Sequence, residues 1–276
     1  MLVFIIAIYK RPELTNIVLN YYKCLQKKYP FKIVVAGSEG KPVKGVDYIE
    51  VPNFPLSNKN NLMMQRAKVH NPDAVVLLGS DDFICENVIK YYYDLIKRKE
   101  TAVIGFYDLY FYSTEHDVLS HYDCGGKSYG AGRWFPKSAL NKINWTGWYG
   151  EYDRGLDGIN MKVLEAKGIE HKTIQLIDID GFLVDIKHNF NISDKNITFV
   201  GTQVNKSIMA RKKLPVKEIE ALAEVFKPVF VEGTFDHKKT YKFESNGKCK
   251  YLPAGEYTVT GFEAEHFIKK GFGEVK

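Results

Sequence analysis

AVVLLGSDDF, residues 74–83, is an apolar run that ends in a serine and two adjacent carboxylates. Val75, Val76, Leu77 and Leu78 leave no polar alternation, which is what a strand covered on both faces requires. The stretch therefore implies a parallel sheet with helices on both sides. Its end has two readings. Ser80, Asp81 or Asp82 can cap a following helix, accepting hydrogen bonds from its free first-turn N–H groups. Alternatively, the carboxylates stand beyond the carboxyl end of a buried strand, where open α/β sheets bind ligands, and hold a divalent ion.

Upstream, VFIIAIY (3–9) reads as a first strand, followed by a helix opened by Pro12 with Leu14, Ile17, Val18, Tyr21, Tyr22 and Leu25 at helical spacing. KIVVAG is a second strand, DYIEVP a short extended piece, and residues 58–69 a helix leading into the quoted stretch. Downstream, Val88, Tyr91, Tyr92, Leu95 and Ile96 place one apolar face on a helix, and TAVIGFYDLYFYS is strand-like and aromatic. A short helix follows Pro136, and another covers Leu156 to Lys167 and stops at Gly168. The alternation predicts an α/β domain, a mostly parallel Rossmann-like sheet with flanking helices, over residues 1–213. From Leu214 a helical VKEIEALAEVF precedes glycine-bearing strand-like pieces, which predicts a small C-terminal α+β module over residues 214–276.

The chain has 276 residues, 45% hydrophobic and 26% charged, enough for a substantial core. The apolar run LVFIIAIY is too short to span a bilayer and ends at Lys10-Arg11-Pro12, so no membrane span is expected. With no signal peptide and four widely spaced cysteines, a reducing cytoplasm, bacterial or that of a phage-infected host, is the expected compartment. A net charge of +6 fits anionic partners and solvated lysines equally well.

Three strand ends converge on one ligand in this reading: Ala7-Ile8-Tyr9 before Arg11, Gly37-Ser38-Glu39, and Ser80-Asp81-Asp82. Glu39 can accept hydrogen bonds from a base or ribose, and Asp82 can hold a cation, a combination suited to a nucleotide with a metal-bound diphosphate. On IAIYKRPELT, IVVAGSEG, SNKNNLMMQRA and LLGSDDF, the sequence resembles the nucleotide-sugar-dependent glycosyltransferases of the GT-A fold, family 2-like, which include many bacterial and phage enzymes. The likeness covers about residues 1–190 and departs at Ser80, which stands where the family's Asp-x-Asp motif begins.

The resemblance implies donor contacts from Ala7, Tyr9, Arg11, Glu39, Lys59, Asn60, Ser80 and Asp81, and metal ligation by Asp82. It implies a second metal ligand at His188 in FLVDIKHNF; imidazole beside carboxylate suits Mn²⁺ better than Mg²⁺. YGAGRWF resembles the family's glycine-rich loop beneath the donor sugar, with Gly132 allowing backbone approach and Arg133 reaching a phosphate. Asp157, at the opening of a helix, resembles the family's acid that deprotonates the acceptor, although Leu156 replaces the acid that usually precedes it; Glu151 and Asp153 are reserves. Trp145 and Trp148, between glycines, offer flat faces to an acceptor sugar or base, with core burial as the ordinary alternative.

These implications describe a transferase moving a hexosyl or pentosyl group from a nucleotide-diphosphate sugar, UDP-linked by default, to a hydroxyl acceptor such as a glycan. Two other functions remain open. One is a phage enzyme glycosylating a hydroxymethylated DNA base; the other is a non-catalytic nucleotide- or nucleic-acid-binding protein using Arg211-Lys212-Lys213 and Lys269-Lys270. A nucleotidyltransferase would need a basic glycine-rich loop after the first strand, which is absent.

Overall fold

The computed structural model describes residues 1–187 and 201–225, and beyond them the backbone of five short strands between residues 229 and 275. In chain order the elements are β1 Leu2–Ala7, α1 Pro12–Gln26, β2 Phe31–Gly37, β3 Asp47–Glu50, α2 Leu56–Lys68, β4 Ala74–Gly79, β5 Asp82–Ile84 and α3 Glu86–Lys97. There follow β6 Val103–Phe106, β7 Asp108–Ser113, β8 Val118–Asp123, β9 Trp134–Pro136, α4 Lys137–Lys142, α5 Leu156–Ala166 and β10 His171–Ile174. A 3₁₀ turn at Leu176–Ile179, β11 Leu183–Lys187, β12 Thr202–Gln203, α6 Ser207–Arg211 and α7 Val216–Val225 complete the described part.

A seven-stranded sheet has the order β10-β6-β9-β4-β1-β2-β3, parallel except for β9. β1 lies inside it between β2 and β4, and Leu2 through Ile6 are fully buried. Side chains alternate across a strand, so Leu2, Phe4 and Ile6 enter one core with α1 and α3, while Val3 and Ile5 enter a second with α2 and α5. Each such burial contributes about 1.5–3 kcal/mol, which is why the central strand carries no polar residue. Pro12 supplies the pre-set φ at the start of α1, whose Leu14, Val18, Tyr22 and Leu25 are buried at helical spacing.

A second, five-stranded sheet has the order β12-β8-β7-β11-β5. The run 101–113, strand-like in sequence, is divided between the sheets: β6 belongs to the first and β7 to the second. Asp108 stands at the crossing, buried, where its Oδ1 accepts the Leu176 backbone N–H at 2.8 Å and its Oδ2 meets His121 Nε2 at 2.9 Å. The architecture is thus α/β with two mixed sheets flanked by helices, consistent with a Rossmann-like nucleotide-binding fold. α7 packs against α1 and places Ile219 and Leu222 in the first core. No helix among the described residues is long and apolar enough to cross a membrane.

A candidate metal centre

β4 ends at Gly79, Ser80 and Asp81 turn the chain, and Asp82 opens β5. β5 pairs antiparallel with β11, setting Asp82 opposite Asp185. One carboxylate oxygen from each of Asp81, Asp82 and Asp185 lies within 4.8 Å of the others. Gly79 is required for this approach, since a Cβ there would fall 2.5 Å from Asp81 Oδ1 and 3.0 Å from Asp82 Oδ2. The helix-cap reading fails on position: α3 begins at Glu86 with Cys85 as its N-cap, so neither aspartate reaches its first turn as a cap.

Two cations hold the outer members of the cluster. Arg11 donates to Asp81 Oδ2 and to Ser80 Oγ, both at 2.7 Å, and Lys187 Nζ lies 2.6 Å from Asp185 Oδ2. Asp82 is buried and its Oδ2 accepts the Gly79 N–H. Burial, followed by repulsion from Asp185 and Asp81, raises the Asp82 pKa well above the usual carboxylate range. Burial also raises Asp185, with Lys187 opposing and Asp81 adding to the shift. Asp185 Oδ1 is buried without a hydrogen-bond partner. Crowded carboxylates with an unsatisfied buried oxygen are the donor set that a hard divalent cation takes, and three oxygen ligands accept Mg²⁺ or Mn²⁺.

Beside this cluster, at the carboxyl ends of β1 and β2, lies a cavity of about 260 Å³ lined by Tyr9, Arg11, Gly37, Ser38, Glu39 and Tyr48 among others. Three of the sequence-derived donor residues, Tyr9, Arg11 and Glu39, therefore share one cavity, and Glu39 accepts the Lys10 backbone N–H at 3.0 Å. Ser80 and Asp81 meet them through Arg11. Ala7, paired with Ala36 and Gly79, Lys59 and Asn60 are not part of its lining. Lys59 is buried, donating to the Ile8 carbonyl at 2.8 Å and approaching Ser38 Oγ and Asn53 Oδ1 at 3.5 and 3.4 Å. It ties the ends of β1 and β2 together, and burial pushes its pKa down to about 8 against the pull of Glu50 and Glu39.

The glycine loop docks on β4. Gly132 N–H donates to the Leu77 carbonyl at 2.8 Å and Leu77 N–H to the Arg133 carbonyl at 3.0 Å. Gly132 has φ +72°, and a Cβ there would press on Leu183 at 2.6 Å. At Gly130 a Cβ would fall 2.1 Å from Asp157 Oδ1, so the exposed Asp157 carboxylate occupies the space that the missing side chain leaves. Of the reserves, Asp153 is engaged in accepting the Leu56 N–H at the start of α2, at 2.8 Å, whereas Glu151 is exposed.

No family model and no curated protein matches the chain. Among solved structures, S. aureus TarS 1-349 is 12% identical, with 67% of this chain and 60% of that one covered and a TM-score of 0.49. The chain thus spans less than two thirds of that structure. TarS 1-349 in complex with UDP-GlcNAc is 11% identical over 81% of this chain and 71% of that one, also with a TM-score of 0.49. A197 from STIV is 10% identical over 63% of this chain and 81% of that one, with a TM-score of 0.38.

Three sequence expectations change. Arg133 is fully buried and turned away from the loop surface, donating to Asn160 Oδ1 at 2.7 Å and Ser128 Oγ at 3.0 Å, so it offers no phosphate contact. Trp145 and Trp148 are core residues: their indole N–H groups donate to Asn141 Oδ1 and the Leu156 carbonyl, and Asn61 holds the Trp148 backbone from α2. Neither presents a face to an acceptor. His188 lies outside the described residues, as do Lys269 and Lys270. Asp185, three residues before His188, completes the carboxylate cluster and was not among the sequence-derived site residues; its signal was an acid inside the otherwise apolar FLVDI. Arg211, Lys212 and Lys213 line a different cavity, of about 530 Å³, with Lys90 and Tyr110, and Lys212 is held by Asp180.

Proposed function

We propose that the protein is a divalent-metal-dependent glycosyltransferase of GT-A type that takes a nucleotide-diphosphate sugar as donor and a hydroxyl group as acceptor. The observation that carries this is the convergence of Asp81, Asp82 and Asp185, with the orphaned Oδ1 of Asp185, beside a cavity at the ends of β1 and β2. A cation bound there supplies charge compensation to a diphosphate leaving group. Asp82 and Asp185 are its ligands in this reading, and Asp81 completes the set while anchoring Arg11.

The chain's own residues then divide the work. Tyr9, Glu39 and Arg11 line the space for the nucleoside, Arg11 adding positive charge beside the phosphates. Loop 128–133 brings its backbone to β4, Gly130 making room for the Asp157 carboxylate and Gly132 for Leu183. Asp157 accepts the acceptor's hydroxyl proton as the bond from the acceptor oxygen to the sugar carbon forms and the bond from that carbon to the diphosphate breaks. UDP is the default donor nucleotide, and a glycan the default acceptor.

Calorimetric titration with UDP, GDP, CDP and ADP, each with and without Mn²⁺, tests the reading. Metal-dependent binding of one nucleotide, abolished by Asp82→Ala in a protein that still melts cooperatively, is the expected result. Absence of metal-dependent binding by all four overturns it.

A further inference from the structure

Arg133 is a buried cation with no carboxylate bonded to it among the described residues, and its Nε lacks any hydrogen-bond partner. Burying an unpaired charge is costly, and a leucine would fill the same core space at lower cost. Its guanidinium makes a particular set of bonds instead. One nitrogen donates to Asn160 Oδ1 at 2.7 Å; another donates to Ser128, to the carbonyl at 3.3 Å and the hydroxyl at 3.0 Å. Asn160, itself fully buried, donates onward to the Gly147 carbonyl at 2.8 Å.

The two bonded partners belong to the two pieces that meet at Asp157. Ser128 opens the glycine loop, whose Arg133 N–H returns to the Gly130 carbonyl at 3.0 Å and whose far end is fixed to Leu77 of β4. Asn160 is three residues beyond Asp157 in α5, hence on the same side of the helix. Asp157 is also the carboxylate whose charge acts on Arg133, raising its pKa against the lowering by burial. On the other flank, His171 Nε2 lies 3.0 Å from Ser128 Oγ, and burial with the Arg133 charge keeps that imidazole neutral, its pKa pulled down to about 4.

We propose that Arg133 is a positioning residue, a buried clamp that joins loop 128–133 to the first turns of α5 and so fixes the Asp157 carboxylate against Gly130. The inference rests on Asp157 being the acceptor's base and deepens that reading. Arg133 touches no substrate. It acts on turnover through Asp157, and donor binding is independent of it.

The full chain carries the test as wild type, Arg133→Lys, Asp157→Asn and the double variant. Each is measured for binding of Mn²⁺ with UDP, or with whichever diphosphate binds in the series above, for release of that diphosphate from its nucleotide-sugar, and for amide exchange over residues 155–160. Lysine keeps the charge but has no fork to bridge Ser128 and Asn160. Arg133→Lys is expected to bind the nucleotide within about twofold of wild type, to lose about tenfold or more in kcat with little change in KM, and to exchange faster over 155–160. In the Asp157→Asn background it should change release by no more than about twofold, because a residue acting through Asp157 has nothing left to act on.

Lost nucleotide binding in Arg133→Lys makes it a phosphate contact and overturns the clamp, as do losses that multiply in the double variant. Should Arg133→Lys not fold, Ser128→Ala removes one acceptor only and is expected to lower kcat about threefold at unchanged KM; unchanged kcat overturns the clamp. If the wild type binds no diphosphate with metal, the functional reading falls by itself, and exchange over 155–160 still decides the clamp: unaltered protection refutes it.

Discussion

Asp82 is buried beside two other carboxylates, and among the described residues no cation pairs with it directly. Its pKa is raised, so the metal-free folded protein retains a proton there that the unfolded chain would release. The sign follows from linkage: with more protons bound folded than unfolded, this group's contribution to stability falls as pH rises from the ordinary carboxylate range through the folded pKa. Asp82→Asn removes the charge while keeping an acceptor for the Gly79 N–H. It should therefore stabilise the metal-free protein by roughly 1–2 kcal/mol at about pH 7.5 and by nearly nothing at about pH 4, read from urea midpoints at both values. A destabilised Asp82→Asn at neutral pH would mean that the aspartate is satisfied without an ion. Gly130 offers a complementary substitution. Its φ is not in the left-handed region, and the atom its methyl would meet first is the end of the flexible Asp157 side chain. Gly130→Ala should leave the melting temperature within a few degrees of wild type yet lower diphosphate release about tenfold, because the carboxylate must move.

At the scale of elements, the crossing between the sheets rests on Asp108, whose two oxygens serve the backbone of Leu176 and the ring of His121. Asp108→Ala leaves a buried N–H unpaired and should cost about 2–4 kcal/mol, read as a lower denaturant midpoint with unchanged slope. This crossing was illegible in the sequence, since residues 103–106 and 108–113 share strand composition and nothing local says that they join different sheets. The elements that were legible each carry a local physical signal: the double-faced burial of β1, Pro12 at the head of α1, and the stop of α5 at Gly168, where φ is +60°. At the site, Asp81 and Asp82 were legible because acids that end a buried strand contradict its pattern. Arg133, Trp145 and Trp148 were misread because their burial depends on partners far along the chain, Asn160 and Ser128 for the arginine and Asn61 for Trp148. Local composition gives a charge or an indole on a glycine-bearing loop no reason to be inside.

For the whole molecule, the carboxylate cluster sits where the two sheets meet. Asp81 follows β4 of the seven-stranded sheet, while Asp82 and Asp185 belong to β5 and β11 of the five-stranded one. An ion held by all three would link the sheets as well as a substrate, and its binding energy would appear as folding energy. At a concentration about a hundred times its dissociation constant the linkage amounts to roughly 2.7 kcal/mol. Mn²⁺ should therefore raise the thermal midpoint of the wild type and slow amide exchange in residues 79–85 and 183–187 together. On the proposed reading, a nucleoside diphosphate should add to the rise only with metal present. The gain should shrink on acidification, because protons compete for the raised carboxyls of Asp82 and Asp185. Protection confined to residues 79–85 would place the ion on the β4–β5 turn alone, removing Asp185 from the ligand set and with it the link between the sheets.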